Sequence, residues 1–328
     1  MLNIKSIIII VVSMGFLLIT SSCGEEFLEQ KSYGEVTKQN FYKKKSHAKA
    51  GITAAYASLG SWNGAYCTDH YFLSSVTGDG VLTPDDISSG EGKMDAWKIT
   101  PDNDIIYQTY NNHYPTIFYA NTVLDNIDAV EMDENNKKEI KGEAKFLRSL
   151  MYFNLVRLFQ HVPLIKTSEI DLGNVNKAKT KADKIYKFII SELKEAIEYL
   201  PQEPKQCGRA SENAARGILA KVYLTRPKQG FSPDAQADYQ KAYEQLDAIT
   251  KSGVNDLNPS VRNLFGIRSW PDYECDNEIM FSVQAKAEGG QISPLTMHAQ
   301  TDDYPVPSSW DSFIGEAPFY MKYDDQDI

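Results

Sequence analysis

The chain has 328 residues, 42% apolar and 24% charged, with 44 acidic against 34 basic side chains. That length supplies a substantial core, and an aromatic content of 11% excludes wholesale disorder. A net charge of −10 excludes a non-specific nucleic-acid binder, which needs a basic footprint to displace phosphate counterions.

The first residues differ from the average. Lys5 precedes an uncharged, mostly apolar run from Ile7 to Thr20, then Ser21-Ser22-Cys23. As a helix this run rises only about 21 Å, short of the roughly 30 Å hydrocarbon core. A positive start, a short apolar centre and a small-residue exit read as a cleaved signal peptide over residues 1–22, leaving 23–328 as the body. A cysteine directly after the small residues resembles a bacterial lipobox, which makes Cys23 the expected lipidation site, although Thr20 stands where such motifs usually carry Leu. Acyl chains on that sulfur and the new terminus would anchor the protein without a spanning helix. Cys67, Cys207 and Cys275 remain. Their spacings match no zinc or Cys-x-x-Cys pattern, and free thiols are favoured over a single disulfide.

The middle of the chain is helical by periodicity. Ala48, Ile52, Ala55, Tyr56 and Leu59 recur at helical spacing, with Thr37 as N-cap. A second pattern runs from Asp104 to Leu124, and Pro115 inside it should kink or divide the helix. A third spans Asp133 to Gln160, with Leu147, Leu150, Met151, Leu155 and Leu158 on one face. Ile185, Ile189, Leu193, Ile197 and Leu200 form a fourth stripe closed by Pro201. Ser211 caps a fifth helix, burying Ala215, Ile218, Leu219 and Val222. Ser232-Pro233 opens a sixth, with Tyr239, Tyr243, Leu246 and Ile249 as its apolar stripe and Gly253 at its end. Helices of this size joined by short loops predict a mainly α fold of stacked antiparallel pairs, solenoid-like, with little β structure.

Two segments interrupt it. Residues 60–101 are rich in Gly and Pro and carry Trp62, Tyr66, Tyr71, Phe72 and Trp97. After Gly253 the chain is irregular apart from Ile279, Phe281 and Val283, whose alternation predicts one strand. Long loops this rich in aromatics favour a functional role. Reaction chemistry is not apparent. The five histidines form no HExxH, and there is no GxSxG elbow, P-loop or GxGxxG, so neither metal nor cofactor is expected. Asp79, Asp85 and Asp86 offer carboxylates for a glycosidase pair, but that chemistry depends on a separation in space. Asp324-Asp325-Gln326-Asp327 lacks the Gly and Glu of an EF-hand.

Several blocks carry a family likeness. Cys23-Gly-Glu-Glu-Phe-Leu-Glu resembles the mature start of the SusD/RagB family of Bacteroidota outer-membrane lipoproteins. Val36-Thr37 through Tyr42, Ala48 to Gly51, Ala54 to Leu59, and Tyr114-x-x-Ile117-x-x-Ala120-Asn121 follow in the family's order. The most specific block runs from Gly142-Glu143-Ala144-Lys145-Phe146-Leu147-Arg148-Ser149 through Tyr152-Phe153-Asn154 to Val162-Pro163-Leu164. Ile185 to Pro201, Gly208 to Leu224 and Asn277-Glu278-Ile279-Met280-Phe281 complete it.

The resemblance implies a tetratricopeptide-like scaffold with an irregular ligand-binding face. It further implies a cell-surface lipoprotein that captures oligosaccharide or polysaccharide for a SusC-type TonB-dependent transporter and performs no chemistry on it. The acidic Gly24-Glu25-Glu26 resembles the signal that sends such lipoproteins to the outer face. Family members continue with further helices after the point matching Tyr323–Asp327, so the C-terminal helices are expected to be missing. Arg148, Arg157 and Asn121 read as scaffold residues.

Sugars present apolar C–H faces that stack on rings and hydroxyls that need oriented polar partners, so their sites gather aromatics beside a few convergent polar groups. The candidates are Trp62, Tyr66, Tyr71, Trp97, Trp270, Tyr273 and Tyr304, with Asp69, Asp79 and Arg268 as polar partners. Trp310, after Pro307-Ser308-Ser309, reads as a buried helix residue. The competing readings are a tetratricopeptide-like protein-interaction scaffold lacking glycan binding, and a glycan hydrolase.

Overall fold

The computed structural model describes residues 41–61, 64–66, 73, 88–170, 173, 175–259 and 277–284, together with the backbone of 81–82 and 314–315. Eight α-helices dominate these residues: α1 (Lys45–Gly60), α2 (Gly90–Asp95), α3 (Asp104–Asn111), α4 (Tyr114–Asn126), α5 (Glu134–Phe159), α6 (Ala182–Tyr199), α7 (Glu212–Lys228) and α8 (Ala235–Ser252). A 3₁₀ turn, Ile127–Ala129, follows α4, and β1 (Val81–Leu82) pairs antiparallel with β2 (Ile314–Gly315). The fold is mainly α, as the periodicity predicts. Phe41 belongs to a separate unit with the residues before it, and the helices belong to the unit from Tyr42 onward.

Most helix ends are set by the residues that sequence rules single out. The Asp133 carboxylate accepts from the Asn135 and Asn136 amides at 3.0 and 3.2 Å to start α5, and Ser211 Oγ accepts from Ala214 N at 3.1 Å to start α7. Gly253 ends α8 in the left-handed conformation (φ 65°) that favours glycine. Pro115 divides the second pattern: α3 stops at Asn111 and α4 restarts with the proline in its first turn, where no amide hydrogen is needed. The sixth helix begins at Ala235, two residues after Pro233, because the Asp234 side chain caps it through Ala237 N at 3.0 Å. Thr37, predicted as the first N-cap, lies outside the described residues, and α1 starts at Lys45.

Packing follows chain order. Helix α1 packs on α4, α4 on α5, α5 on α6, α6 on α7 and α7 on α8, the nearest-neighbour stacking of a solenoid. Helix α5 lies at the centre and buries Phe146, Leu147, Leu150, Met151, Tyr152, Phe153, Leu155 and Val156 around its circumference. Gly142 lets α5 and the end of α6 approach closely, since a Cβ there would sit 3.0 Å from Leu200 Cγ and Tyr199 Cβ.

The centre is also charged. Arg148 donates to Glu192 through Nε (3.0 Å) and Nη2, and through Nη1 to Asn121 Oδ1 (2.6 Å) and the Lys166 carbonyl (3.2 Å). Asn121 in turn donates to the Ile165 and Thr167 carbonyls at 3.1 and 3.2 Å. Lys145 donates to the other Glu192 oxygen at 2.9 Å. Arg148, Asn121 and Glu192 are buried, and their mutual bonds offset the cost of leaving water. Asn121 and Arg148 thus act as scaffold, holding the segment after α5 against three helices.

Four expectations need correction. Leu158 is exposed, because the packed side of the last turn of α5 carries Val156 and Phe159, the latter edge-on to Tyr110 at 5.1 Å. The α8 stripe faces outward: Tyr239, Tyr243 (63% exposed) and Leu246 are exposed, while Asp238 and Ala242 are buried. The buried contact with α7 is made instead by the Asp238 carboxylate, which pairs with Arg226. Residues 279–283 form no strand. No strand pairs with them among the described residues, and they lie extended across the helices with Phe281 edge-on to Phe146 (4.9 Å, 69°). Cys207 is disulfide-bonded, so the single-disulfide alternative holds over three free thiols.

Candidate functional site

Of the ten candidate glycan-contacting residues, Trp97 and Tyr66 fall among the described residues. Trp62, Tyr71, Asp79, Arg268, Trp270, Tyr273 and Tyr304 lie outside them, as do Asp69, Trp310 and the lipidation candidate Cys23.

Trp97 follows α2, a short helix inside the segment expected to be irregular. Ser89 Oγ caps it by accepting from Gly92 N at 2.9 Å. Asn103, which caps α3 through Ile105 N at 2.9 Å, reaches back with Nδ2 to the Gly90 carbonyl at 3.0 Å. These two caps lock α2 against α3 over a small apolar cluster of Met94 and Ile105 with Leu73 packed on it.

The end of α2 is more informative. Trp97 N donates to the Met94 carbonyl at 3.1 Å and Lys98 N to the Lys93 carbonyl at 2.8 Å. This is the bond pair of a Schellman termination, whose penultimate residue must be left-handed and is usually glycine. Here that residue is Trp97, at φ 54°. An L residue in this region costs about 1–2 kcal/mol through the clash of its Cβ with the following carbonyl, and for a bulky residue the conformation is an outlier. The indole is 70% exposed, so core packing does not offset the strain. A strained residue that presents its largest apolar surface to solvent is the pattern of a binding surface. Tyr107, on α3, is a second exposed ring of this subregion. Tyr107 stands off the buried stripe of its helix, and that position was the signal available in the sequence.

Tyr66 is held differently. Its amide donates to the Leu59 carbonyl at 2.9 Å, and its hydroxyl accepts from Asn154 Nδ2 at 3.0 Å. Arg157 Nη2 fixes Asn154 by donating to its Oδ1 at 2.7 Å, and its guanidinium covers the Phe153 ring at 4.6 Å. Burial pushes the Tyr66 phenol above its ordinary value. Tyr66 is therefore a tether between the segment after α1 and α5.

A polar cleft of about 460 Å³ lies between the 202–211 loop and residues 277–282. Gln202, Ser211, Asn255 and Ser282 line it, and Phe281, the one aromatic ring of its described lining, is occupied against Phe146. Its described lining offers hydrogen-bonding partners and no free stacking platform. On the far side of that loop, Glu143 accepts from Tyr56 Oη at 3.2 Å and lies 3.5 Å from Arg209, which covers the Tyr56 ring at 4.5 Å. Burial outweighs the Arg209 charge and pushes the Glu143 carboxyl up to about 7. Among the described residues no group of three or more His, Cys, Asp or Glu is placed to hold a metal ion, and no helix is long and apolar enough to cross a membrane.

Residues 26–224 match a SusD-like family model described as starch-binding, associating with outer membrane. SusD-like protein P2 of Formosa agariphila is 28% identical over 259 residues, 76% of this chain and 48% of the relative. A SusD-like protein of Bacteroides ovatus is 25% identical over 255 residues, 76% of this chain and 45% of the relative. The chain thus spans about half the length of the curated relatives it matches. Among solved structures, a laminarin binding SusD-like protein superposes with a TM-score of 0.55 at 30% identity, over 66% of this chain and 45% of that one. A SusD superfamily protein from Parabacteroides distasonis gives a TM-score of 0.71 over 89% of this chain and 61% of that one, and at 20% identity it speaks to fold alone.

Proposed function

This chain belongs to the SusD-like family, and from that premise we propose that it binds a glycan at the cell surface, with the Trp97 ring as a stacking platform for a sugar face. The observation that carries the reading is the exposed indole held at a left-handed, glycine-favouring position. A flat, rigid aromatic ring costs little side-chain entropy when a ligand covers it. Tyr107 and the remaining loop aromatics, Trp62, Tyr71, Trp270, Tyr273 and Tyr304, supply further rings, with Asp79 and Arg268 as hydroxyl partners.

The protein captures its glycan without cleaving it. Acylated Cys23 anchors it to the outer membrane after removal of residues 1–22, and a SusC-type TonB-dependent transporter receives the bound oligosaccharide. The sequence before Cys23 and the family's association with the outer membrane support this placement. Laminarin is the first glycan to test, because a relative of solved structure binds it. In native gels containing laminarin or other polysaccharides, the purified chain is expected to be retarded by at least one, with no reducing ends released. Product release would replace this reading with an enzyme, and no retardation of a folded chain across a broad panel would leave an interaction scaffold.

A further inference from the structure

A cleft of about 280 Å³ opens between α4 and the segment that follows α5, lined chiefly by Ile117, Phe118, Ile165, Ile170, Val175 and Lys177. Its floor is built rather than incidental. The Ile165 amide donates to Tyr152 Oη at 2.7 Å, and that hydroxyl donates back to the Ile165 carbonyl at 3.0 Å. Asp125 accepts from Ser168 N at 2.7 Å and Thr167 Oγ1 at 2.9 Å. Three apolar side chains nevertheless stand in solvent around it: Phe118 (45% exposed), Val175 (62%) and Ile170 (72%). One exposed apolar residue is ordinary, but several converging on one preformed hollow mark a contact surface.

The charge beside the cleft is equally uneven. Lys177 lies on its rim, and Lys179 and Lys181 follow at alternate positions of the segment whose Thr180 amide bonds the Val162 carbonyl at 2.9 Å. Lys184 and Lys187 continue the series on α6. All five are exposed, and no salt bridge reaches them among the described residues. Asp183 is the single acid between residues 175 and 187, in a chain whose net charge is −10. Of the carboxylates facing the cleft, Glu169 lines it, while Asp125 is engaged in its floor.

We propose that this surface docks an acidic peptide segment of a partner protein, with one large apolar side chain of that segment seated among Phe118, Ile165, Ile170 and Val175. The hollow favours a peptide, since a protruding side chain fills a concavity that a flat lipid surface leaves empty. The lysine series selects acidic flanks and speeds encounter, and the apolar seat supplies the anchor. This proposal does not rest on glycan binding.

The test is selection of a random dodecapeptide phage library on the immobilised full chain, followed by binding of the synthetic consensus peptide by fluorescence anisotropy. The expected consensus is one Phe, Leu or Trp flanked by Asp or Glu. Replacing that apolar residue by Ala should weaken binding at least tenfold. Lys177→Glu/Lys179→Glu/Lys181→Glu should weaken it at least tenfold, and Val175→Asp should do the same without touching Phe118 or the packed core. Both variants should keep the circular dichroism and the glycan retardation of the parent. No consensus, a neutral or basic consensus, or an acidic one that binds both variants equally well overturns the proposal. So does loss of phosphatidylglycerol-vesicle retention by the lysine variant with peptide binding unchanged, which assigns the surface to a membrane.

Discussion

The buried centre around Arg148 and the exposed corner at Trp97 handle local cost in opposite ways. At the centre a guanidinium is removed from water, and each cost is matched: Glu192, Asn121 and the Lys166 carbonyl take its hydrogen bonds, while Phe188 lies 5.2 Å beneath it. At the corner a left-handed backbone carries the bulkiest side chain in place of glycine, and the indole remains exposed. Matched cost at the centre marks structure, and the unmatched cost at the corner is what the proposed glycan surface rests on. Substitution should therefore damage stability in the first region and binding in the second.

The largest effect is expected at the centre. Arg148→Ala removes two hydrogen bonds from the buried Glu192, leaving Lys145 as its cation, and frees Asn121; it should cost about 3 kcal/mol in urea unfolding. Loss below about 1 kcal/mol would mean that the ion pair does not hold the scaffold together.

Glu143 lies on the same helix as Arg148 but is poorly compensated. Its carboxyl is raised from the ordinary 4.5 to about 7 in the folded chain, so between those values the folded state holds more protons than the unfolded one. Stability contributed by this group is full below about pH 4.5 and falls as pH rises toward 7. Glu143→Gln should flatten that part of the stability profile, and an unchanged slope would show that Arg209 keeps the carboxylate ionised.

The smallest effect has the most diagnostic sign. Trp97→Gly relieves the left-handed strain and should raise stability by about 1 kcal/mol. Gly placed elsewhere in α2, as at Met94, should lower it, because Met94 is buried in the small cluster beneath. A lower melting temperature for Trp97→Gly would mean that the indole packs as structure.

The helical scaffold was legible because its signals are local. Asp133, Ser211, Pro201 and Gly253 mark helix ends by chemistry that acts within one turn, and the resemblance supplied the order of the pieces. Trp97 was legible as an aromatic in a loop, but not as a strained one, since α2 is too short for a periodic stripe and a Schellman ending is signalled by glycine. Tyr66 looked equivalent in sequence, and only the distant Asn154 and Arg157 distinguish it. The α8 stripe was misleading for a related reason: periodicity finds an apolar face but not whether a neighbour covers it. Likewise, alternation at Ile279, Phe281 and Val283 could not reveal that no strand among the described residues pairs with them.

The most direct test of the central claim is calorimetric titration of the parent chain and Trp97→Gly with the glycan that retards the parent, run beside thermal melts of both. Trp97→Gly should bind at least tenfold more weakly, with an equal or higher melting temperature. Unchanged affinity in a correctly folded Trp97→Gly protein would contradict it.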